Sequence, residues 1–395
     1  MSRLKKIVGI LFSSILILVL AVFISASLYD SPEYARRLLM YGQSDINDRA
    51  IFPERPIQNG GNVSVLEKGN GGIPETLTWT LPSGEARTAS WEEVFSRTDT
   101  KAFIVIRDDK IIYEGYFNGA TRDTINTSFS SAKSFNSALI GAAIADGLIE
   151  SADDPVIKYV PEIAGRGLDT LTIRDLLLMS TGIRYAEHPT PFGDDALTYY
   201  SPDLRRTALR VRASGAPIGD EWLYNNYHPL LEGLIIERVT GVNVSEYLQE
   251  KFWKPMGAEY SASWSLDSEA SGFEKMESGI NARAVDYARF GLVFLHTGTW
   301  NGSQILPEEW VSESTTPEDA WKVPSLSGLS LYYKYHWWGF QNEDGTYDFM
   351  ALGRYWQVVY VAPRRNVVVV RLGDDPNSYP VNWTEAIHNL IDQME

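Results

Sequence analysis

A serine and a lysine three residues apart stand where a helix is predicted to begin. They are Ser130 and Lys133, within the segment SFSSAK at 128–133. Residues at positions i and i+3 share one helix face, and the free N–H groups at a helix N-terminus favour developing negative charge. A neutral amine beside the hydroxyl could therefore take its proton and make the serine a nucleophile. The alternative is an N-capping serine with a solvated lysine, since S-x-x-K also occurs at Ser2 and Lys5.

A tyrosine and an asparagine precede a second predicted helix. Tyr224 and Asn226 stand directly before the apolar, periodic segment 230–241. A phenol near a lysine can relay protons, and an asparagine amide can both donate to and accept from a bound acyl group. The alternative is a buried tyrosine beside a turn-forming asparagine, since Y-x-N also occurs at 116–118, inside a predicted hairpin. His228, just after the pair, is predicted to form local hydrogen bonds.

The composition narrows the chemistry further. The chain has 395 residues, no cysteine, five histidines, and 35 Lys and Arg against 51 Asp and Glu, for a net charge of −16. Without cysteine there are no disulfides, thiolate nucleophiles or Cys-ligated metals, and the histidine spacings argue against a His-rich metal site. The acidic balance argues against nucleic acid as a partner, because phosphate binding needs clustered Lys and Arg. We expect neither a metal nor an organic cofactor.

The N-terminal residues indicate export. Basic residues precede an uncharged, largely apolar segment, 7–28, which is long enough to cross about 30 Å of hydrocarbon. We predict that residues 1–28 anchor the chain in the inner membrane and that the remainder is periplasmic. A signal peptide cleaved near 25–27, giving a secreted protein, is the alternative. Residues 29–90 are predicted to be a spacer that packs loosely on a folded domain at 91–395.

Local patterns in that domain run from β to helical and back to β. Residues 102–117 predict a hairpin turning at Asp108 and Asp109. Helical periodicity predicts helices at 131–146, 173–179, 230–239, 244–252, 284–296 and 384–394. Alternating patterns predict strands at 336–341, 347–352, 357–362 and 366–372. Because strands from both chain ends can join one sheet, we predict an α+β fold: an antiparallel sheet flanked by helices, with a mostly helical lobe and a cleft between the two.

At this point the sequence resembles the penicillin-recognising serine hydrolases, which include class C β-lactamases, DD-peptidases, related esterases and 6-aminohexanoate-dimer hydrolases. The resemblance runs from about residue 101 to the C-terminus. Besides S-x-x-K and Y-x-N, it rests on ADGLI, DDPV and YVPE within 145–162, LTIRDLLLMSTGI at 171–183, GINARAVDYARFG at 279–291 and GSQILPEEWV at 302–311. It implies a β-lactamase/transpeptidase-like fold, with the family's nucleophile at Ser130, its lysine at Lys133, and its tyrosine and asparagine at Tyr224 and Asn226.

The chain departs from the family at its third motif. β-Lactamases and DD-peptidases carry K-T-G on the strand that edges the cleft, and many esterases carry H-x-G, whereas this chain has Ala351, Leu352 and Gly353. The missing cation would otherwise bind the carboxylate of penicillins or D-Ala-D-Ala peptides. The pattern is therefore nearest to the dimer-hydrolase and esterase branch. Arg354, on the opposite strand face, is expected to be a rim charge whose backbone N–H, with that of Ser130, holds the oxyanion.

These features predict an exported serine hydrolase that cleaves small esters or amides through an acyl-enzyme on Ser130, with Lys133 and Tyr224 as general base. The alternatives are a β-lactamase or DD-peptidase, and a non-catalytic, membrane-tethered ligand-binding domain. Aromatic residues near the cleft suggest an apolar or linear acyl substrate, although they could equally be core residues; they are Tyr185, Phe192, Tyr199, Tyr200, Trp222, Trp321, Tyr332, Tyr333, Tyr335, Trp337 and Trp338. The oligomeric state is not predicted.

Overall fold

Helices and strands follow the β–helical–β order predicted from the sequence. A computed structural model describes residues 2–188, 192–323, 331–374 and 379–394. The α-helices are α1 (Ser2–Tyr29), α2 (Pro32–Tyr41), α3 (Trp91–Arg97), α4 (Ala132–Ala145), α5 (Ile173–Leu177), α6 (Asp194–Tyr200), α7 (Leu204–Ala208), α8 (Tyr227–Thr240), α9 (Val244–Leu248), α10 (Ala284–Leu295), α11 (Glu308–Thr315) and α12 (Trp383–Asp392). The strands are β1 (Glu54–Ile57), β2 (Thr76–Thr80), β3 (Ala86–Ser90), β4 (Thr100–Arg107), β5 (Lys110–Tyr116), β6 (Ile125–Thr127), β7 (Ala262–Ser265), β8 (Ile280–Arg283), β9 (Thr299–Trp300), β10 (Ser303–Gln304), β11 (Trp321–Val323), β12 (Leu331–Lys334), β13 (Trp337–Gln341), β14 (Tyr347–Gly353), β15 (Gln357–Ala362) and β16 (Val367–Gly373).

One eight-stranded antiparallel sheet joins the two ends of the domain. Its strand order is β11-β12-β13-β14-β15-β16-β4-β5, so the last strand of the chain, β16, pairs with β4 from the beginning of the domain. The β4–β5 hairpin turns at Asp108 and Asp109, whose φ angles of 50° and 62° give the left-handed turn that matches strand twist. The predicted sheet from both chain ends is confirmed.

Both faces of this sheet are covered, and the two covers are different. α10 packs on one face, against β15, β16 and β4, and α4 and α8 extend that core into the helical lobe. α12, α3 and the β2–β3 hairpin cover the other face. Strands buried on both faces read as continuous apolar runs, which explains the sequence VVVV at 367–370. The α+β prediction is confirmed.

The helix that carries the candidate nucleophile begins differently from its prediction at 131–146. A 3-10 turn, Phe129–Ser131, comes first, and α4 follows it at Ala132. The later helix α8 starts immediately after Asn226 and ends at Gly241, which takes a left-handed φ of 73°. The two predicted motifs therefore lie at the N-terminal ends of two neighbouring helices, α4 and α8, which pack against each other.

The residues predicted to be a loosely packed spacer pack firmly on the domain. Tyr34 and Ala35 in α2 are completely buried, and β1 pairs with β7 in a second, four-stranded sheet ordered β1-β7-β8-β6. The expectation of loose packing is therefore wrong. The polar composition was misleading because the buried face of α2 is small and includes an arginine, Arg37, beside Tyr34 and Ala35. The domain boundary near residue 91 stays a prediction.

Candidate active site

The candidate nucleophile lies on a tight turn at the start of α4. Ser130 is the middle residue of the 3-10 turn, and Phe129 before it adopts a left-handed conformation with a φ of 44°. A bulky residue rarely takes this conformation, so the surroundings must hold the turn in place. Ser128 supplies part of that support, because its backbone N–H donates to Ile280 O on β8 at 2.7 Å.

Lys133 lies beside this serine, one turn along the same helix face. Its Nζ donates to Ser130 Oγ at 2.9 Å and to the backbone oxygen of Glu277 at 3.2 Å. The side chain is 1 % exposed and forms no ion pair with any carboxylate in the described part of the chain. The structure thus brings together the two residues that the i, i+3 spacing placed on one face. A buried amine within hydrogen-bonding distance of a hydroxyl can exchange a proton with it.

Tyr224 approaches the pair from the loop before α8. Lys133 Nζ lies 4.8 Å from the centroid of the Tyr224 ring. The ring packs against the aromatic side chains of Trp338 and Tyr333, with centroid distances of 5.9 and 6.1 Å. The loop itself is fixed because Leu223 N–H donates to Met179 O at 2.8 Å. Serine, lysine and tyrosine therefore converge although Tyr224 is distant from the other two in sequence.

Asn226 lies beside them as the residue that precedes α8. Its Nδ2 donates to Tyr185 OH at 3.1 Å and to Thr198 Oγ1 at 3.3 Å. Its Oδ1 is buried and has no hydrogen-bond partner among the described residues. Because an unpaired buried oxygen is costly, a donor from a bound molecule would stabilise this arrangement. The amide is thus positioned to accept a hydrogen bond from a ligand.

Gly353, at the end of β14, touches the turn that carries the nucleophile. A Cβ at this position would lie 2.3 Å from Ser128 O and 3.1 Å from Ser130 N, so only glycine allows the two backbones to come so close. The next residue, Arg354, is exposed, as predicted for a rim charge. The N–H of Arg354 belongs to the peptide bond that follows Gly353, so it lies next to this contact. The side chain of Ala351, two residues before Gly353, is buried in the core.

Two cavities meet at the candidate nucleophile. The larger has a volume of about 620 Å³ and the smaller about 290 Å³, and Ser130, Tyr224 and Arg354 line both. Asn226 lines the larger cavity and Gly353 the smaller. The larger lies within the size range typical of small-molecule sites. This arrangement suits a substrate whose two halves lie on either side of the reacting atom.

The aromatic residues singled out in the sequence divide between the cavities and the core. Tyr199 and Tyr200 line the larger cavity, and Trp338 lines the smaller. In contrast, the side chains of Tyr333, Tyr335 and Trp337 are completely buried. Some of these aromatic residues thus line the cavities, and others are core residues.

His228 is a buried structural residue, as predicted. Its Nε2 is 2.7 Å from Thr181 Oγ1 and its Nδ1 is 2.9 Å from Met179 Sδ. Burial lowers the pKa of His228 well below its usual range, and the electrostatic effects of the nearby His336 and Lys133 act in the same direction. The imidazole is therefore neutral and makes only local contacts.

A buried polar network behind Tyr224 was not found by sequence reasoning. His336 Nε2 donates to Glu232 Oε1 at 2.8 Å, and Tyr333 OH donates to His336 Nδ1 at 3.0 Å. Burial raises the pKa of Tyr333 well above its usual range, so its hydroxyl keeps the proton that it donates. The network fixes the ring against which Tyr224 packs. No sequence signal links Glu232 with His336, because they are 104 residues apart.

A second buried lysine lies next to the larger cavity. Lys275 Nζ donates to Glu277 Oε1 at 3.0 Å, and burial lowers the pKa of this lysine against the opposing effect of the Glu277 charge. Lys275 also packs on the Tyr199 ring, 4.0 Å from its centroid. The pair holds the segment whose backbone oxygen accepts from Lys133. No cluster of three or more potential metal-ligating side chains occurs within the described ranges.

Comparison with known proteins places this geometry in a family. A sequence profile described as "Beta-lactamase" matches residues 93–388, well over half of the chain. The 6-aminohexanoate-dimer hydrolase of Paenarthrobacter ureafaciens is 28% identical over 316 residues, which cover 75% of this chain and 78% of that protein.

Solved structures agree on the fold. A protein of Bacillus anthracis described as a 6-aminohexanoate-dimer hydrolase superposes with a TM-score of 0.74 at 24% identity, covering 88% of this chain and 91% of that one. The octameric penicillin-binding protein homologue of Pyrococcus abyssi gives a TM-score of 0.61 at 20% identity, covering 75% and 74% of the two chains. The chain belongs to the beta-lactamase family and is one of its serine hydrolases.

Proposed function

We propose that this protein is an exported, membrane-anchored hydrolase that cleaves esters or amides through an acyl-enzyme on Ser130. The observation that carries the proposal is the 2.9 Å contact between Lys133 Nζ and Ser130 Oγ at the meeting point of the two cavities. A hydroxyl and a buried amine in contact provide an activated nucleophile without a histidine.

In the first half-reaction, Lys133 Nζ takes the hydroxyl proton while Ser130 Oγ attacks the substrate carbonyl carbon. The resulting oxyanion is held by the backbone N–H groups of Ser130 and Arg354. The close approach of Gly353 to Ser130 N supports this pairing, since it brings the Gly353–Arg354 peptide to the nucleophile. The bond to the leaving group then breaks, and the proton passes through Tyr224 to the leaving oxygen or nitrogen.

In the second half-reaction, water replaces the leaving group. As the water oxygen attacks the acyl carbon, Tyr224 accepts a proton from the water and passes its own hydroxyl proton to Lys133 beside it. The acyl–oxygen bond breaks, the proton returns to Ser130 Oγ, and the carboxylic acid leaves. Each cycle consumes one ester or amide and one water, and restores the enzyme.

Small esters and amides fit this site better than penicillins or D-Ala-D-Ala peptides. The position that carries a cation in β-lactamases is Ala351 here, and its side chain lies in the core, away from any substrate. The cation at this edge is Arg354, which is exposed at the rim. The name of the Paenarthrobacter relative, a hydrolase of the 6-aminohexanoate dimer, favours linear amides in particular.

The N-terminal helix supports the proposed location. Lys5–Tyr29 is long and apolar enough to cross a membrane, by length and composition alone. The residue after it, Asp30, has a completely buried side chain that binds Arg206 at 2.7 Å and Arg210 at 3.1 Å. Cleavage near 25–27 would leave Asp30 in place but would remove the first part of α1 up to Ala26, which is buried in a cluster with Leu197 and Tyr200. The burial of Ala26 favours an anchor that is retained over a signal peptide that is removed.

A panel of p-nitrophenyl esters, with nitrocefin alongside, tests the proposal. We expect ester hydrolysis by the wild type, loss of turnover in Ser130→Ala, and no labelling of this variant by a fluorophosphonate probe. Ser137→Ala is the matched control, because Ser137 is a buried serine of the same helix whose Oγ has no hydrogen-bond partner among the described residues.

Rapid fluorophosphonate labelling of Ser130→Ala would contradict the assignment of the nucleophile. Efficient nitrocefin turnover would move the substrate class to penicillins. Absence of any turnover or labelling in the wild type would favour a binding domain that has retained the fold.

A further inference from the structure

The larger cavity has one wall that the catalytic domain does not supply. Val22 and Ala26 of α1 line it, together with Ala35, Leu38 and Leu39 of α2. These five residues, which we call the N-terminal wall, are all apolar. The helix that is long enough to cross a membrane therefore also forms part of the compartment in front of Ser130.

The N-terminal wall is held rigidly against the domain. Besides the contacts of Asp30 with two arginines, Ser201 Oγ donates to Asp30 Oδ2 at 3.0 Å. In α2, Arg37 is 5 % exposed and donates to Tyr200 O at 3.1 Å. Ala26, Tyr34 and Ala35 share a buried cluster with residues of α6. The membrane helix and the cavity thus have a fixed relation to each other.

Helix geometry sets the depth of this wall in a bilayer. The apolar part of α1 begins at Ile7, after Lys5 and Lys6. At about 1.5 Å per residue, a hydrocarbon layer of about 30 Å takes up about 20 residues and so ends near Ala26. Val22 and Ala26 would then lie near the outer edge of the hydrocarbon, where the acyl chains of the outer leaflet join their headgroups.

The mouth of the cavity has the character of a membrane-facing surface. Four large apolar residues near the wall are exposed: Leu28, Leu39, Met40 and Phe192. Leu39 also lines the cavity, so exposed and enclosed apolar surfaces are continuous. The lining also includes the polar side chains of Glu187, Asp195 and Asn226. A cavity with both apolar and polar lining residues suits an amphiphilic molecule.

We propose that the substrate is an amphiphilic ester or amide that enters from the bilayer, with its acyl chain along the N-terminal wall and its carbonyl at Ser130. This rests on the hydrolase function and anchor proposed above and narrows the substrate class. The smaller cavity, which is lined by Trp338 and Trp356 and also reaches Ser130, takes the leaving group. The carboxylic acid product leaves into water past the polar residues that line the larger cavity.

Chain-length selectivity tests this inference. The full chain is reconstituted in phosphatidylethanolamine/phosphatidylglycerol vesicles, and kcat/KM is measured for p-nitrophenyl decanoate and p-nitrophenyl acetate. Val22→Trp places a large ring in the wall, and we expect the decanoate/acetate ratio to fall by about tenfold, as expected when roughly two methylenes lose their burial. Ile24→Trp is the matched control, because Ile24 is exposed on the opposite face of α1, and we expect it to leave the ratio unchanged.

A second measurement uses the wild-type chain and is independent of how the variants fold. A decyl fluorophosphonate with a diazirine at the end of its chain is bound to Ser130, irradiated, and mapped by mass spectrometry. We expect cross-links to α1 or α2. Cross-links confined to the lining of the smaller cavity, or an unchanged ratio in Val22→Trp, would overturn the inference while leaving the hydrolase intact. Acetate hydrolysis that survives in Ser130→Ala would instead overturn the proposed function.

Discussion

Replacing Gly353 by alanine tests whether the contact between β14 and the nucleophile turn builds the site. The backbone of Gly353 is extended, with φ −120° and ψ 164°, so alanine can adopt it without strain. The obstacle is the neighbour: the new Cβ would lie 2.3 Å from Ser128 O, about 1 Å closer than ordinary packing allows. Because the atoms that the new Cβ would meet, Ser128 O and Ser130 N, belong to the backbone, they cannot rotate away. The strand and the turn must therefore separate by about that distance.

A displacement of about 1 Å at a reacting centre can cost about 100-fold in rate, or about 2.7 kcal/mol of activation free energy. We therefore expect Gly353→Ala to lower kcat for p-nitrophenyl acetate by about 100-fold. The added methyl group should also lower the free energy of unfolding by about 1–3 kcal/mol.

Gly291→Ala separates the catalytic effect from the loss of stability. A Cβ at Gly291 would lie 2.7 Å from Val368 Cγ1, between α10 and the sheet and away from the cavities. We expect similar destabilisation by chemical denaturation but a kcat within about twofold of the wild type under conditions where both variants are folded. Wild-type kcat in Gly353→Ala, or equal losses in the two variants, would refute the reasoning.

Four further outcomes are expected. Tyr224→Phe keeps the ring and its packing but removes the hydroxyl, so kcat should fall by about 10²–10⁴ with little change in KM; a wild-type rate would exclude the proton relay. Lys133→Met preserves length but removes the amine, and should lower kcat by about 10²–10⁴ and abolish fluorophosphonate labelling at neutral pH, which gel fluorescence would detect. Because burial lowers the pKa of His228, the folded chain keeps it neutral while the unfolded chain binds a proton below about pH 6.5. Stability should therefore decrease from about pH 6.5 downward by up to about 1.4 kcal/mol per pH unit from this group, and denaturation of His228→Gln at pH 7.5 and 5.5 should show a smaller decrease than the wild type. Asp30→Ala leaves Arg206 and Arg210 without their shared partner, so limited proteolysis should cut between residues 30 and 57 faster than in the wild type; equal rates would show that the apolar contacts of α2 suffice to hold it.

The parts of the site that depend on local geometry could be predicted from the sequence. The i, i+3 spacing of Ser130 and Lys133 placed them on one helix face, and their side chains are in contact. The motif resemblance, rather than spacing, indicated Tyr224, because nothing in the sequence fixes a distance between loops so far apart. Gly353 was found from its position relative to β15, but the reason for a glycine there, a backbone contact, is visible only in three dimensions.

The fold was predictable where the patterns are strong and missed where they are weak. Continuous apolar runs identified β15 and β16, and regular periodicity identified α4 and α10. α2 was missed because its buried face includes Arg37, whose guanidinium donates not only to Glu33 on the same helix but also to Tyr200 O, 163 residues away. The local sequence of α2 therefore gives no indication of the N-terminal wall that this helix helps to form.

The pairing of β4 with β16 has a consequence for biosynthesis. Residues 100–107 pair with β5 in a local hairpin but gain their second partner only after 367–373 have been made, and Ser130 meets Gly353 only at a similar stage. α1 emerges first from the ribosome and can enter the membrane long before this sheet closes. In a nascent or prematurely terminated chain, Ser130 lacks its contact with Gly353, and we expect it to be unreactive. Catalytic competence at Ser130 therefore requires that residues 353–373 have been synthesised and that β16 has paired with β4.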